Sequence, residues 1–190
     1  THYWNAREAA LAGLRDPIEG SDSELTDALG GLLKDAVKRR MIADVPLGAF
    51  LSGGVDSSAV VALMQDANPG KVKTFTIGFE NADYDEAPHA AAVARHLGTE
   101  HTELTVTAQQ ALDVIPALPD MYDEPFADVS QIPTHLVSAM ARRHVTVALS
   151  GDGGDELFGG YTRYQRTQRS WSSLSLLPHA ARVGLAKCRT

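Results

Sequence analysis

Two glycine-rich strings carry the residues best suited to chemistry. The first is Ser52-Gly53-Gly54-Val55-Asp56-Ser57-Ser58, between a short apolar stretch ending at Leu51 and a segment of helical pattern. Its glycines permit positive φ and close backbone approach. Successive amides in such a turn point into one concavity, and the N-terminus of the following helix adds positive potential. The hydroxyls of Ser57 and Ser58 are expected to donate to the same oxygens. This is a place for an anion, with phosphate as the expected group. The Gly-Lys-Ser/Thr ending of a Walker loop is missing, and no Gly-x-Gly-x-x-Gly occurs here. Asp56 is informative for that reason. A carboxylate beside a polyphosphate is repulsive unless a divalent cation lies between them, which points to Mg²⁺. An ordinary tight turn with Asp at a helix start is the plain alternative, and the full string argues against it.

The second string, Ser150-Gly151-Asp152-Gly153-Gly154-Asp155-Glu156, follows the largely apolar stretch Val145 to Leu149. Ligands of open parallel sheets bind beyond the carboxyl ends of strands, so two strand-terminal loops can face one crevice. Three acidic side chains there repel one another and any phosphate unless metal or protonation intervenes. Asp155 is expected to share Mg²⁺ with Asp56, clamping the α- and β-phosphates from two sides. Taken alone the string reads as a solvated acidic turn at a helix start near Glu156. The first loop tips the balance toward a site.

Both loops need a sheet to hold them. Ser21-Asp22-Ser23-Glu24 matches a capping box, and Leu25, Leu29, Leu32, Leu33 and Val37 follow at helical spacing, predicting a helix to about Met41. Pro46 to Leu51 reads as a buried strand. The next helix carries Val60, Leu63 and Met64 and stops near Asn68-Pro69-Gly70. Val72 to Phe79 alternates as a strand, and Ala87 to Leu97 is a helix ended by Gly98. A strand over His101 to Val106, helices over Ala108 to Leu118 and Ile132 to Arg143, and a strand over Val145 to Leu149 complete the order. Strands alternating with helices predict a parallel sheet covered on both faces.

The bulk properties fit one ordinary globular domain: 190 residues, 44% hydrophobic and 22% charged. A net charge of −7 argues against a nucleic-acid binder, which needs a basic face. Cys188 is the one cysteine, so no intrachain disulfide or thiolate metal cluster is expected, and a reducing, cytoplasmic setting fits. No signal peptide and no membrane-spanning apolar run is read. The chain starts at Thr1 without methionine and stops soon after Leu176-Leu177-Pro178, where a new helix is expected, so it is read as a segment of a longer protein. Residues 1–20, with Tyr3 and Trp4 as isolated apolar anchors, read as a linker, 21–170 as the main domain, and 171–190 as the start of a helical region. His89 and His96 read as a partly exposed face rather than ligands. Arg163, Arg166 and Arg169 read as a solvated basic face, and Tyr161 as a packing residue.

At the two loops the sequence resembles the synthetase domain of glutamine-hydrolysing asparagine synthetases, of the N-type ATP pyrophosphatase group. Matching stretches are Pro46 through Ser58, Thr74 through Phe79, Tyr84-Asp85-Glu86, Leu97 through His101, Asp123 through Asp128, and Ser150 through Tyr161. The resemblance runs from about Tyr3 to Tyr164. It implies a three-layer α/β/α parallel sheet of the adenine nucleotide alpha hydrolase-like (HUP) type. It further implies that Leu51, Ser52, Gly53, Gly54, Val55, Asp56, Ser57 and Ser58 bind ATP, and that Ile77 and Gly78 border adenine. Ser150 and Gly151 would close over the nucleotide, and Asp56 and Asp155 would hold Mg²⁺. Many members carry Glu where Asp152 stands, and that Glu handles a proton during amide formation; Asp152 and Asp155 are the catalytic candidates here. The Asp123 to Asp128 loop would face the acid substrate.

The implied activity is ATP-dependent amidation, most simply of aspartate to asparagine. The β-carboxylate attacks the α-phosphorus, pyrophosphate leaves, and glutamine-derived ammonia displaces AMP from the acyl-adenylate. A glutaminase domain with an N-terminal cysteine nucleophile is expected before Thr1, and a phosphate-contacting lysine beyond Thr190; Lys187 lacks the matching context. A homodimer is among the expectations, with no nucleic-acid or membrane partner. The same adenylation chemistry on a sugar acid, a peptide side chain or a β-lactam precursor stays open, as does a nucleotide-binding segment inactive alone.

Overall fold

The computed structural model describes residues 3–81, 85–125, 127–179 and 182. Tyr84, Phe126, Lys187 and Cys188 of the sequence reading lie outside them.

Four strands form one parallel sheet: β1 (Leu47–Phe50), β2 (Lys73–Phe79), β3 (Glu100–Val106) and β4 (Val147–Leu149), in the order β3-β2-β1-β4. The helices are α1 (Ala6–Arg15), α2 (Asp22–Arg40), α3 (Val55–Ala67), α4 (Ala87–Leu97), α5 (Ala108–Val114), α6 (Leu118–Met121), α7 (Gln131–Ala141), α8 (Gly154–Phe158) and α9 (Thr162–Leu174). Each buried strand residue serves one of two faces. Ala49 and Leu51 join Val37 of α2, Val61 and Met64 of α3, and Ala90 and Ala94 of α4 in one core. Phe75 and the half-buried Phe50 and Ile77 pack the other way, against Met140 and Ala141 of α7 and Val145. Alternation along a pleated strand produces this split, and the result is the three-layer arrangement that the strand and helix order predicts.

Local signals explain the boundaries. The capping box forms: Glu24 N–H donates to Ser21 Oγ, and Glu24 Oε2 accepts from Ser21 N–H at 2.9 Å. Gly98 ends α4 at φ 72°, a left-handed conformation that suits a residue without Cβ. Buried Thr74 ties β2 to β3, with its Oγ1 2.9 Å from both Thr99 Oγ1 and His101 Nδ1. Burial there disfavours the charged imidazole and lowers the pKa of His101.

Four features of the fold go beyond or against the sequence reading. Residues 6–15 form a helix, capped by Asn5 Oδ1, which accepts from Arg7 N–H and Glu8 N–H. That helix buries nothing, and Tyr3 and Trp4 are exposed rather than anchored. Of the apolar row on α2 only Val37 is buried, whereas Leu29 and Leu32 face outward. The helix read over Ala108 to Leu118 breaks into α5, a 3-10 turn (Ile115–Ala117) and α6, because Pro116 lacks the amide that would continue the ladder. Finally, β4 lies at the edge of the sheet, and Val147 is 42% exposed.

Phe75→Ala is expected to cost about 3–5 kcal/mol, as truncation of a fully buried aromatic does. Val147→Ala should stay within about 0.5 kcal/mol. Equal losses in denaturant unfolding would contradict the assigned core.

Candidate functional site

The two glycine loops leave the carboxyl ends of β1 and β4, adjacent parallel strands far apart in sequence. After β1 the chain moves toward β2 and β3; β4 lies on the other side. That is a switch point, where an open α/β sheet leaves a crevice beyond its strand ends. A cleft of about 1,090 Å³ lies there.

The first loop is built around one buried hydroxyl. Ser57 Oγ accepts from Ser52 N–H at 3.2 Å and lies 2.9 Å from Ser52 Oγ, while its O–H reaches Gly54 O at 3.3 Å. Gly54 N–H in turn donates to Ser52 Oγ. The Ser57 hydroxyl is thus spent on holding the turn. Ser58 Oγ is buried without a hydrogen-bond partner. Gly53 has φ 81°, and a Cβ there would come within 2.7 Å of Ala90 N, so the loop lies directly on the first turns of α4.

The second loop presses on the first. A Cβ at Gly151 would come within 2.7 Å of Ser57 N, and one at Gly154 within 2.5 Å of Asp56 Cγ. Asp56, at the start of α3, therefore lies against the start of α8. Within this loop Ser150 Oγ donates to Asp152 Oδ2 at 3.0 Å and accepts from Asp152 N–H. Asp155 O accepts from Gly160 N–H at 3.0 Å, and a Cβ at Gly160 would collide with the Asp155 carboxylate.

Of the residues singled out in sequence, Ser52, Gly54, Val55, Asp56, Ser57, Ser150, Gly151, Asp152 and Asp155 line the cleft. Leu51, Gly53, Ser58, Ile77 and Gly78 do not; Leu51 is buried in the core. The cleft adds residues that sequence reasoning missed or left undecided. Asp128 lines it, which identifies one member of the Asp123 to Asp128 loop that reaches the crevice; Ser130 and Thr134 of the following segment line it too. Ser130, through its hydroxyl and its N–H (2.8 Å to Asp128 Oδ1), holds that carboxyl low. Glu156 and Tyr161 also face it: Tyr161 O–H donates to Glu156 Oε1 at 2.7 Å, lowering the Glu156 pKa and raising that of Tyr161. The Arg163 guanidinium lies 4.0 Å over the Tyr161 ring. The Gly159-Gly160 turn before Tyr161 was the sequence signal for this group.

The balance of charge is one-sided. The cleft is lined by Asp56, Asp128, Asp152, Asp155 and Glu156, and by no Lys, Arg or His among the described residues. A polyphosphate bound there requires a cation. No group of three or more His, Cys, Asp or Glu among the described residues could hold a metal alone. Two carboxylates plus substrate phosphates, however, form a donor set that suits Mg²⁺.

A family model described as asparagine synthase matches residues 28–189. A Methanocaldococcus jannaschii protein with the provisional name asparagine synthetase (glutamine-hydrolysing) 2 is 52% identical over 131 residues, 68% of this chain and 25% of that protein. Asparagine synthetase (glutamine-hydrolysing) 1 of Bacillus subtilis is 38% identical over 149 residues, 78% of this chain and 23% of that protein. The chain spans about a quarter of the length of these relatives. Among solved structures, the NH3-dependent NAD synthetase of Campylobacter jejuni matches with TM-score 0.50 and 15% identity over 71% of this chain and 60% of that one. That likeness concerns the fold alone.

Two substitutions test the geometry. Gly151→Ala is expected to destabilise by about 1–3 kcal/mol through overpacking against α3. Gly30→Ala, in a helix with nothing within 4 Å, should be neutral or stabilising; the reverse order in denaturant unfolding refutes the contact. Tyr161→Phe is expected to return the Glu156 pKa toward the ordinary carboxylate range, read by carboxyl-carbon NMR titration. Because that pKa is depressed, the contact is fully present above the ordinary range and lost as pH falls through the folded value. An unmoved titration would show that the hydrogen bond is absent in solution.

Proposed function

The chain belongs to the asparagine synthase family, and from that membership we propose that it is the ATP-binding, carboxylate-activating part of a glutamine-dependent ligase that converts aspartate to asparagine. The observation that carries the reading is the acidic cleft at the switch point, where a glycine loop beyond β1 meets a carboxylate-bearing glycine loop beyond β4.

A free carboxylate is a poor acyl donor because oxide is a poor leaving group. In the proposed reaction a carboxylate oxygen of the acid bonds to the α-phosphorus of ATP, and the bond to the bridging oxygen breaks with its electron pair going to pyrophosphate. Ammonia from a glutaminase domain then attacks the acyl carbon, gives up a proton, and AMP leaves with the former carboxylate oxygen. The chain's own contribution is to bind and orient. The amides of the first loop and the N-terminus of α3 face the phosphates, and Ser57 Oγ keeps that turn closed. Asp56 and Asp155 would hold Mg²⁺, which would offset charge on the phosphate oxygens. Asp152, hydrogen-bonded to Ser150, is the candidate to receive a proton from the attacking ammonia. Ile77 and Gly78, on the neighbouring strand β2, do not line the cleft, so their contact with adenine needs the nucleotide to extend toward β2. Most of the catalytic power in such a site is positioning and electrostatics.

In the domain layout that goes with this reading, residues 1–20 lead in from the glutaminase domain, 21–170 form the synthetase core, and 171–190 open a further helical region. The full-length protein is expected to release pyrophosphate from ATP in an aspartate-dependent manner. Release only with other acids would redirect the substrate assignment, and ATP binding without release would remove the enzymatic reading. Asp56→Asn is expected to abolish Mg·ATP binding in equilibrium titration. Unchanged affinity sinks the metal assignment.

A further inference from the structure

We propose that Asp85 is a positioning residue for nucleotide binding: its carboxylate clamps the end of β2 to the start of α4, and α4 in turn holds the first glycine loop in its binding shape. The inference rests on the nucleotide reading above and deepens it. Asp85 Oδ1 accepts from Phe79 N–H at 3.3 Å and from Ala87 N–H at 3.1 Å. One oxygen thus joins the last residue of the strand to the first residue of the helix. Glu86, the residue before α4, offers no side-chain cap, so Asp85 serves the exposed amides of that terminus.

The clamp is tight on both sides. A Cβ at Gly78 would lie 2.7 Å from Asp85 Oδ1 and 2.9 Å from Ala87 Cβ. Glycine at 78 is therefore what lets the carboxylate reach across the strand end. On the far side, His89 and Ala90 of the same helix turn occupy the space a Cβ at Gly53 would need. A shift of the α4 start moves the floor under the left-handed Gly53. Ile77 and Gly78 on one side and Ser52 to Gly54 on the other are thereby set in register by one side chain that lies outside the cleft.

Two measurements on the full-length protein test this. Asp85→Ala is expected to raise the KM for ATP about tenfold with kcat unchanged, since two amides lose their acceptor and only binding geometry is affected. Asp85→Asn, which keeps an acceptor oxygen, should recover most of that loss. A lowered kcat at unchanged KM overturns the proposal. The second readout needs no ATP. Hydrogen exchange at the Ser52 and Gly54 amides, both bonded within the loop, is expected to quicken in Asp85→Ala while β1 stays protected. Unchanged exchange at those amides in both variants overturns the proposal too. Faster exchange in a protein whose unsubstituted form binds no ATP upholds the clamp and refutes the nucleotide reading beneath it.

Discussion

The site depends on the side-by-side pairing of β1 and β4. These strands are neighbours in the sheet although α3, β2, α4, β3, α5, α6 and α7 separate them in the chain. Parallel pairing sends both chains out through the same edge, so two short glycine turns must share the space above two strands. They touch at Gly151, against the backbone of Asp56 and Ser57, and at Gly154, against the Asp56 side chain, and the cleft is what remains beside that contact. Any residue with a side chain at Gly151 would separate the loops, and with them the carboxylates of Asp56 and Asp155.

Charge follows from the same crowding. The turn that presents amides to a ligand also brings acids from both loops to one wall, with Asp128 and Glu156 added from neighbouring segments. Such a wall is unfavourable to bare phosphate and favourable to phosphate with a divalent cation. The hydrogen bonds from Ser130 and Tyr161 keep Asp128 and Glu156 ionised to lower pH than ordinary carboxyls.

Much of this was legible in the residues. The parallel layering followed from strand and helix alternation, and the helix starting at Asp22 from the Ser21 and Glu24 pair, because both are written in short-range patterns. The two loops were legible because glycines at strand ends have few other uses. What escaped was of two kinds. The helix over residues 6–15 is marked by its Asn5 cap and by Leu11 and Leu14 at helical spacing, signals that the linker reading passed over; it buries nothing. The place of Asp128 in the cleft arises from tertiary packing, which spacing along the chain does not encode, while the pairs Tyr161 with Glu156 and Asp85 with Phe79 and Ala87 close short turns whose partners the residue types alone do not single out. Ser57 carries a second role that its type alone does not announce. Its hydroxyl also bonds within the turn, to Ser52 N–H and Gly54 O.

The edge position of β4 has a bearing on handling as well as on chemistry. This strand is three residues long, is paired on one side by β1, and exposes Val147. Unpaired amides and carbonyls along such an edge form a template onto which another extended segment can add. An extended segment added at this edge would lie beside the acidic loop that leaves β4. Its shortness is then a form of protection, since few rungs are on offer to a stranger.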